Sequence, residues 1–248
     1  MSEVLIEVCC EPSNSTTVKG NLLEKFSKRF LETQGLNVER QVRKTGMEVD
    51  LLCEETATGE KILVECKAYR NTIATEVITK LLGNVTFQEY SAGWLISTYA
   101  LGKDAKGFQE EWSKKTEEKR RRLRIYPPNL LIDRFVRAKF IVDPGTLVVP
   151  VEHGLRGEET YLLITERGDF WAVPIIDQQT RIPASAMLFD ASSGRALLEP
   201  SLTSWLAQTD TTLKQGWVVG MNSPAFRRHP RVTFSAAFRT RRATASRS

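Results

Sequence analysis

A chain of 248 residues that is 41% hydrophobic and 26% charged holds enough apolar material for one large domain or two modest ones, which excludes a disordered polymer and a small disulfide-stapled scaffold. Its formal net charge of +5 is unevenly held: residues 141–225 carry 5 Lys or Arg against 10 Asp or Glu, and residues 226–248 carry 7 against none. Without that last stretch the protein is slightly acidic, so basicity alone gives no argument for a nucleic-acid partner.

The first periodic segment is Gly20 to Leu31, where Leu22, Leu23, Phe26, Phe30 and Leu31 have the spacing of an amphipathic helix that ends near Gly35. Met47 to Cys53 reads as a strand, turned back by Thr56-Ala57-Thr58-Gly59 onto a second strand that runs through Ile62-Leu63-Val64 to Lys67. A helix capped by Asn71 or Thr72 and running toward Tyr90 follows, with Ile73, Val77, Ile78, Leu81, Leu82 and Val85 on its buried face. Gly93 to Thr98 is a central strand. Asp104 to Leu123 predicts one long charged surface helix, because few apolar residues accompany Phe108 and Trp112. A strand at Arg124 to Tyr126, the pair Pro127-Pro128 and a closing helix over Asn129 to Phe140 complete an α/β alternation.

Asp143-Pro144-Gly145 coincides with the change in charge balance and marks the expected boundary. Beyond it, Thr146 to Glu152, Tyr161 to Thr165 and Phe170 to Ile176 are short β-favouring runs, the last two joined through Glu166-Arg167-Gly168-Asp169 as a hairpin. A short helix over Leu202 to Gln208 and a strand at Gly216 to Gly220 finish a small module. The predicted organisation is a first domain over residues 1–143, a smaller β-rich module over 144–225 and a basic tail over 226–248 whose composition predicts disorder.

Chemistry concentrates on the hairpin. Asp50 is separated by fourteen residues from Glu65-Cys66-Lys67, and the latter three sit in an apolar strand where burial should exclude charge. Alternation puts Glu65 and Lys67 on one face, roughly 6.6 Å apart along the chain, with Val64 and Cys66 on the other. Reversal of the chain brings Asp50 beside Glu65, so two carboxylates and an ammonium converge. Such a set suits Mg²⁺, which takes one or two carboxylates together with waters and phosphate oxygens. Phosphodiester hydrolysis is the candidate reaction, with Asp50, Glu65 and the backbone carbonyl of Cys66 holding the metal and Lys67 orienting the attacking hydroxide. Glu24, beside the apolar stripe of the first helix, is a further acid that can reach the same metal. The competing account is a solvated edge-strand pair with no chemistry, together with a helix acid favoured by the helix dipole.

A helix with an internal Glu, a strand after Gly35-Leu36-Asn37-Val38, a strand with Asp50, a strand carrying Glu65-x-Lys67 and then a helix resembles the PD-(D/E)xK nucleases, and within them the Mrr-like restriction endonuclease branch. The likeness spans roughly residues 17–135, and Val49 stands where the family often has proline. It implies a restriction-endonuclease-like α/β fold, a central mixed sheet flanked by helices, with the smaller β-rich module appended. It further implies Asp50 and Glu65 as metal ligands, Lys67 as catalytic lysine and Glu24 as auxiliary acid. The expected activity is that of a Mg²⁺-dependent endodeoxyribonuclease, with Mn²⁺ able to substitute, acting as a homodimer or higher homo-oligomer on DNA in antiviral defence. Relatives of this kind are often effectors joined to an NTPase and sensor; no GxxxxGK[ST] stretch occurs here, so if such a sensor belongs to the system it is on a missing segment or another chain. A non-catalytic binding module, or a structure-selective nuclease for junctions or RNA, is the alternative.

The other signals are weaker. Lys119, Arg120, Arg121, Arg122 and Arg124 can grip a phosphate backbone, or can simply complement a helix C-terminus. Cys9 and Cys10 are adjacent and Cys53 and Cys66 are inward strand positions, so neither a disulfide framework nor a zinc spacing is present. His153 reads as a surface loop residue, and Trp171 and Trp205 as core. With no leader and no long apolar run, the expected compartment is the cytoplasm, without membrane contact.

Overall fold

The computed structural model describes residues 4–12, 15–44, 47–149, 154–157, 159–180 and 183–211. The strand expected at Gly216 to Gly220, the tail from Phe226 and His153 lie outside these residues.

The chain begins with β1 (Val4–Cys9) and α1 (Ser15–Thr33), continues through β2 (Leu36–Lys44), β3 (Met47–Glu55) and β4 (Lys61–Lys67), and then α2 (Thr75–Phe87) and β5 (Ala92–Ser97). Next come α3 (Lys103–Ser113), α4 (Glu117–Arg121), β6 (Leu123–Tyr126) and α5 (Pro128–Arg137). The remainder is β7 (Leu155–Gly157), β8 (Thr160–Thr165), β9 (Gly168–Asp177), β10 (Pro183–Asp190), β11 (Ala196–Leu197) and α6 (Pro200–Gln208).

Two mixed sheets result. In the first, β2 to β6 lie in sequence order, with antiparallel β2–β3 and β3–β4 pairs and parallel β4–β5 and β5–β6 pairs. The second has the order β1-β8-β9-β10-β11 with β7 also on β9, and β1 runs parallel to β8 from Val4↔Thr160 to Cys9↔Thr165.

Helices α1 and α5 fill the space between the sheets. Leu22, Leu23, Phe26, Phe30 and Leu31 are the buried face of α1, as their spacing predicts. Phe26 and Phe30 meet Phe135 of α5 edge-on at 5.2 and 4.6 Å, and the same core takes in Val64 and Cys66 of the first sheet and Leu162, Ile164 and Trp171 of the second. α2 and α3 cover the opposite face of the first sheet through Ile78, Leu81, Val85 and Ala105, and α6 covers the outer face of the second through Leu202, Trp205 and Leu206. α2 lies so close to β5 that a Cβ at Gly93 would come within 2.7 Å of Val85 Cγ2. Trp171 and Trp205 are core, as expected.

Four boundaries differ from expectation. α2 starts at Thr75 rather than near Thr72, because Ile73 is tied by a β-bridge to Leu101 and is buried ahead of the helix. The expected helix over Asp104 to Leu123 is two helices: Lys114 and Lys115 N–H groups bond back only three residues, and Thr116 is extended. With almost no apolar residue in that stretch, packing offers nothing to carry the helix across the break. α5 stops at Arg137, and Lys139 has a positive φ of 55°. Thr146 closes a 3₁₀ turn over Pro144–Thr146, capped by Asp143 Oδ1 accepting from the Gly145 N–H at 2.8 Å, instead of opening a strand.

Candidate functional site

Strand β4 alternates as its sequence requires. Ile62, Val64 and Cys66 face the core under α1, Leu63 faces α2, and Glu65 and Lys67 follow Leu63 onto that second side as half-buried groups. β3 does not alternate cleanly. Val49 and Leu52 both pack under α2, whereas Leu51 and Cys53 pack under α1, so the pleat is broken at Asp50. Across the ladder, Gln41 lies between the paired Arg40↔Leu51 and Val42↔Val49 and has a φ of 53°, the left-handed region rare for a non-glycine residue. This irregularity re-aims Asp50: its Oδ2 accepts a hydrogen bond from the Cys66 N–H at 2.8 Å.

Asp50, Glu65 and Lys67 therefore meet at the C-terminal end of β4. Lys67 Nζ is ion-paired with Glu65 Oε1 and lies 3.8 Å from Asp50 Oδ2, with all three side chains about one-fifth exposed. Burial, then the neighbouring Glu65 charge, push the Asp50 carboxyl up to about 6, against the Cys66 N–H and Lys67 that favour its ionised form. Burial pulls the Lys67 ammonium down, but Glu65 and Asp50 outweigh it and its proton affinity is raised. One cation between two acids leaves a negative centre.

Glu24 is placed nearby but engaged elsewhere. Its Oε2 accepts from Arg40 Nη2 at 3.0 Å, and Asn21 of the same helix accepts from Arg40 at 3.1 Å and from Gln41. It still contributes a small upward push on the Asp50 carboxyl. Arg40 and Asn21 thus hold both Glu24 and the irregular Gln41, a role the sequence reading did not assign. The only hint is an arginine and a glutamine consecutive in a strand that follows an Asn-x-x-Glu helix turn.

Cys66 and Cys53 are buried and unpaired as cysteines; burial pushes Cys53 up to about 12 and Cys66 well above its ordinary range, so both act as apolar packing groups.

The basic run is placed apart from this site. Gly93 pairs with both Leu63 and Leu123, and Ile96 with both Cys66 and Tyr126. α4 consequently feeds β6 at the edge of the sheet opposite Lys67, roughly 13 Å away along four residues of strand. Lys119, Arg120, Arg121 and Arg122 are exposed; Arg121 pairs with Glu117 at 2.5 Å, and the Arg124 guanidinium sits 5.3 Å from the Trp94 ring centre.

Among the described residues, no three His, Cys, Asp or Glu side chains form a closed metal cage. The donor set nevertheless fits Mg²⁺, which keeps several waters and needs only one or two carboxylates, and the excess negative charge at Asp50 and Glu65 suits a divalent cation. No described helix is long and apolar enough to cross a membrane.

Residues 16–116 match the family model of a restriction endonuclease domain, Mrr_cat. No curated protein sequence matches the chain. Among solved structures, the protein of unknown function AF1548 is similar over 52% of this chain and 73% of its own, with 16% identity and a TM-score of 0.38. The matched segment contains α1, the strands bearing Asp50, Glu65 and Lys67, and the helices that cover them. Residues 16–116 are thus similar to a restriction endonuclease domain of the Mrr type, and the mixed α/β fold of the chain is the one that this family implies.

Proposed function

We propose that this protein is a Mg²⁺-dependent endodeoxyribonuclease whose active centre is Asp50, Glu65 and Lys67, and that it acts in defence against foreign DNA. The observation that carries the reading is the Lys67 ammonium held between the Asp50 carboxylate of β3 and the Glu65 carboxylate of β4, all three half-buried. Asp50, Glu65 and the Cys66 carbonyl would hold the metal, with Glu24 as a more distant acid. Mg²⁺, when bound, supplies Lewis-acid stabilisation of the phosphoryl oxygens. Lys67 donates hydrogen bonds toward the attacking water and the phosphate, and its fixed charge offsets the charge that grows there as the 3′-oxygen leaves. Arg40 keeps Glu24 and β2 in place behind Asp50. A homodimer would place two such centres on opposite strands, and Lys119, Arg120, Arg122 and Arg124 would contact phosphates farther along the DNA.

The test is incubation of the protein with supercoiled and linear plasmid in Mg²⁺, Mn²⁺ or EDTA, beside Glu65→Ala. Metal-dependent cutting that is lost in the variant is the expected result. No cutting by either protein in either metal, with unchanged DNA binding, would identify a binding module instead.

A further inference from the structure

A cleft of about 1110 Å³ opens one residue beyond Lys67, at the C-terminal edge of the parallel β4–β5 pair. Two aromatic side chains stand at its mouth. Tyr69 and Tyr99 are 44% and 43% exposed, although both lie within a few residues of fully buried strand positions. Lys67 and Ser97 are register partners, so the tyrosines, each two residues farther on, leave the sheet at one level. The two chains remain joined there: the Thr98 N–H donates to the Lys67 carbonyl at 3.1 Å and the Thr98 hydroxyl to the Tyr69 carbonyl at 3.1 Å. Ser97 Oγ holds Tyr99 through both its N–H and its carbonyl, at 3.1 and 2.8 Å. Two large rings are thereby fixed on rigid backbone beside the charged centre, with their side chains left uncovered.

The charge of the cleft limits its occupant. Of its three cations, Lys19 is matched to Asp210 at 2.5 Å and Arg70 to Glu7 and Asp210 at 3.5 Å, with Lys106 the third; Glu110, Asp143 and Asp133, the last paired with Arg137, also line it. With four lining acids (Glu7, Glu110, Asp133 and Asp143) against three cations, the cleft offers a chain of phosphates no net attraction. A flat, neutral heterocycle needs none, and Gln109 and Asn129 on α3 and α5 offer amide groups to its edge.

We infer that Tyr69 and Tyr99 form a stacking platform for one unpaired nucleobase next to the phosphodiester at Lys67. The inference rests on the nuclease reading above and narrows its substrate. In a duplex each base face is covered by its neighbours, so a ring can stack only on a base at an end, a flap or a mismatch, or on one turned out of the helix. The platform therefore selects DNA with an unpaired nucleotide beside the bond to be cut.

The test is binding in EDTA, which separates it from cleavage. A single-stranded oligonucleotide carrying one 2-aminopurine and a duplex of the same length, its terminal base pairs capped by non-nucleotide linkers, are titrated with the protein, with Tyr69→Ala/Tyr99→Ala and with Tyr69→Phe/Tyr99→Phe. The unpaired probe should bind more tightly than the duplex and lose fluorescence as the base stacks. The alanine pair should weaken its binding by roughly tenfold or more, the phenylalanine pair should restore it, and duplex binding should stay the same. Equal affinity for the two probes, unquenched 2-aminopurine on the unaltered protein, or phenylalanine behaving like alanine would each overturn the platform. The quenching result needs no variant, so a folding defect cannot mask it. A protein that quenches the probe but never cuts DNA would keep the platform and refute the nuclease reading; the reverse outcome would do the opposite.

Discussion

Arg40 Nη2 donates to Glu24 Oε2 at 3.0 Å, so the acid of the first helix is tied to the neighbouring strand rather than to Lys67. Removing either partner strands the other in a largely buried position. Glu24→Ala should cost about 3 kcal/mol of stability, seen as a lowered denaturation midpoint, while Glu24→Gln, which still accepts the bond, should cost much less. Turnover of Glu24→Gln should fall less than that of Glu65→Ala, since Glu24 acts on Asp50 through its charge and is itself bonded to Arg40.

Lys67→Met should separate chemistry from binding. Loss of one charged donor at a reacting phosphate is expected to lower turnover on the order of 10²-fold or more, with DNA affinity in Ca²⁺ or EDTA nearly unchanged. Single-turnover cutting set beside equilibrium binding measures both on one preparation.

The metal-free protein should show a pH signature from Asp50. Its carboxyl is raised in the folded state, so its contribution favours folding below the unfolded value near 3.8 and is lost as pH rises through about 6. At pH 8 in EDTA, Asp50→Asn should therefore be more stable than the unaltered protein, by on the order of 2 kcal/mol. The difference should close between pH 6 and pH 4. Urea denaturation at each pH provides the comparison, and a constant difference across the range would remove the electrostatic explanation.

Asp210→Ala tests the cluster that links the two sheets. Lys19 is 8% exposed and its ammonium lies 2.5 Å from Asp210, which also meets Arg70. Leaving that ammonium buried and unmatched should cost about 3 kcal/mol. Lys19→Met combined with Asp210→Ala should recover much of the loss, because the apolar stem then fills the space without a charge.

Replacing Arg120 and Arg122 with Gln should weaken duplex binding and lower its salt slope by about one unit for each phosphate contact removed, with turnover at saturating DNA unchanged. These side chains sit at the edge of the sheet opposite Lys67, so their loss cannot disturb the centre directly.

Much of this was readable from local pattern. The stripe of α1, the hairpin that brings Asp50 to Glu65 and the core placement of Cys53, Cys66, Trp171 and Trp205 all depend on residues near one another in sequence, where period and turn chemistry fix geometry. What escaped depends on distant partners. Nothing near Glu24 specifies that Arg40 will take it, and nothing in Val4 to Cys9 names Thr160 to Thr165 as its partner. The break at Lys114 to Thr116 escaped for another reason: charged residues with good helix propensity read as one helix until packing is known to be absent.

The pairing of β1 with β8 also sets an order of assembly. During synthesis β1 emerges before every strand of the first sheet, yet the strand it joins is made only when the chain reaches Thr165. The sheet from Leu36 to Tyr126 has its strands in sequence order and can close as it appears, whereas the second sheet needs a strand made before that sheet and others made after it. β1, with its apolar run Val4-Leu5-Ile6, thus waits through the greatest length of chain for its neighbour, and until then it is open to capture by a chaperone or by another copy of itself.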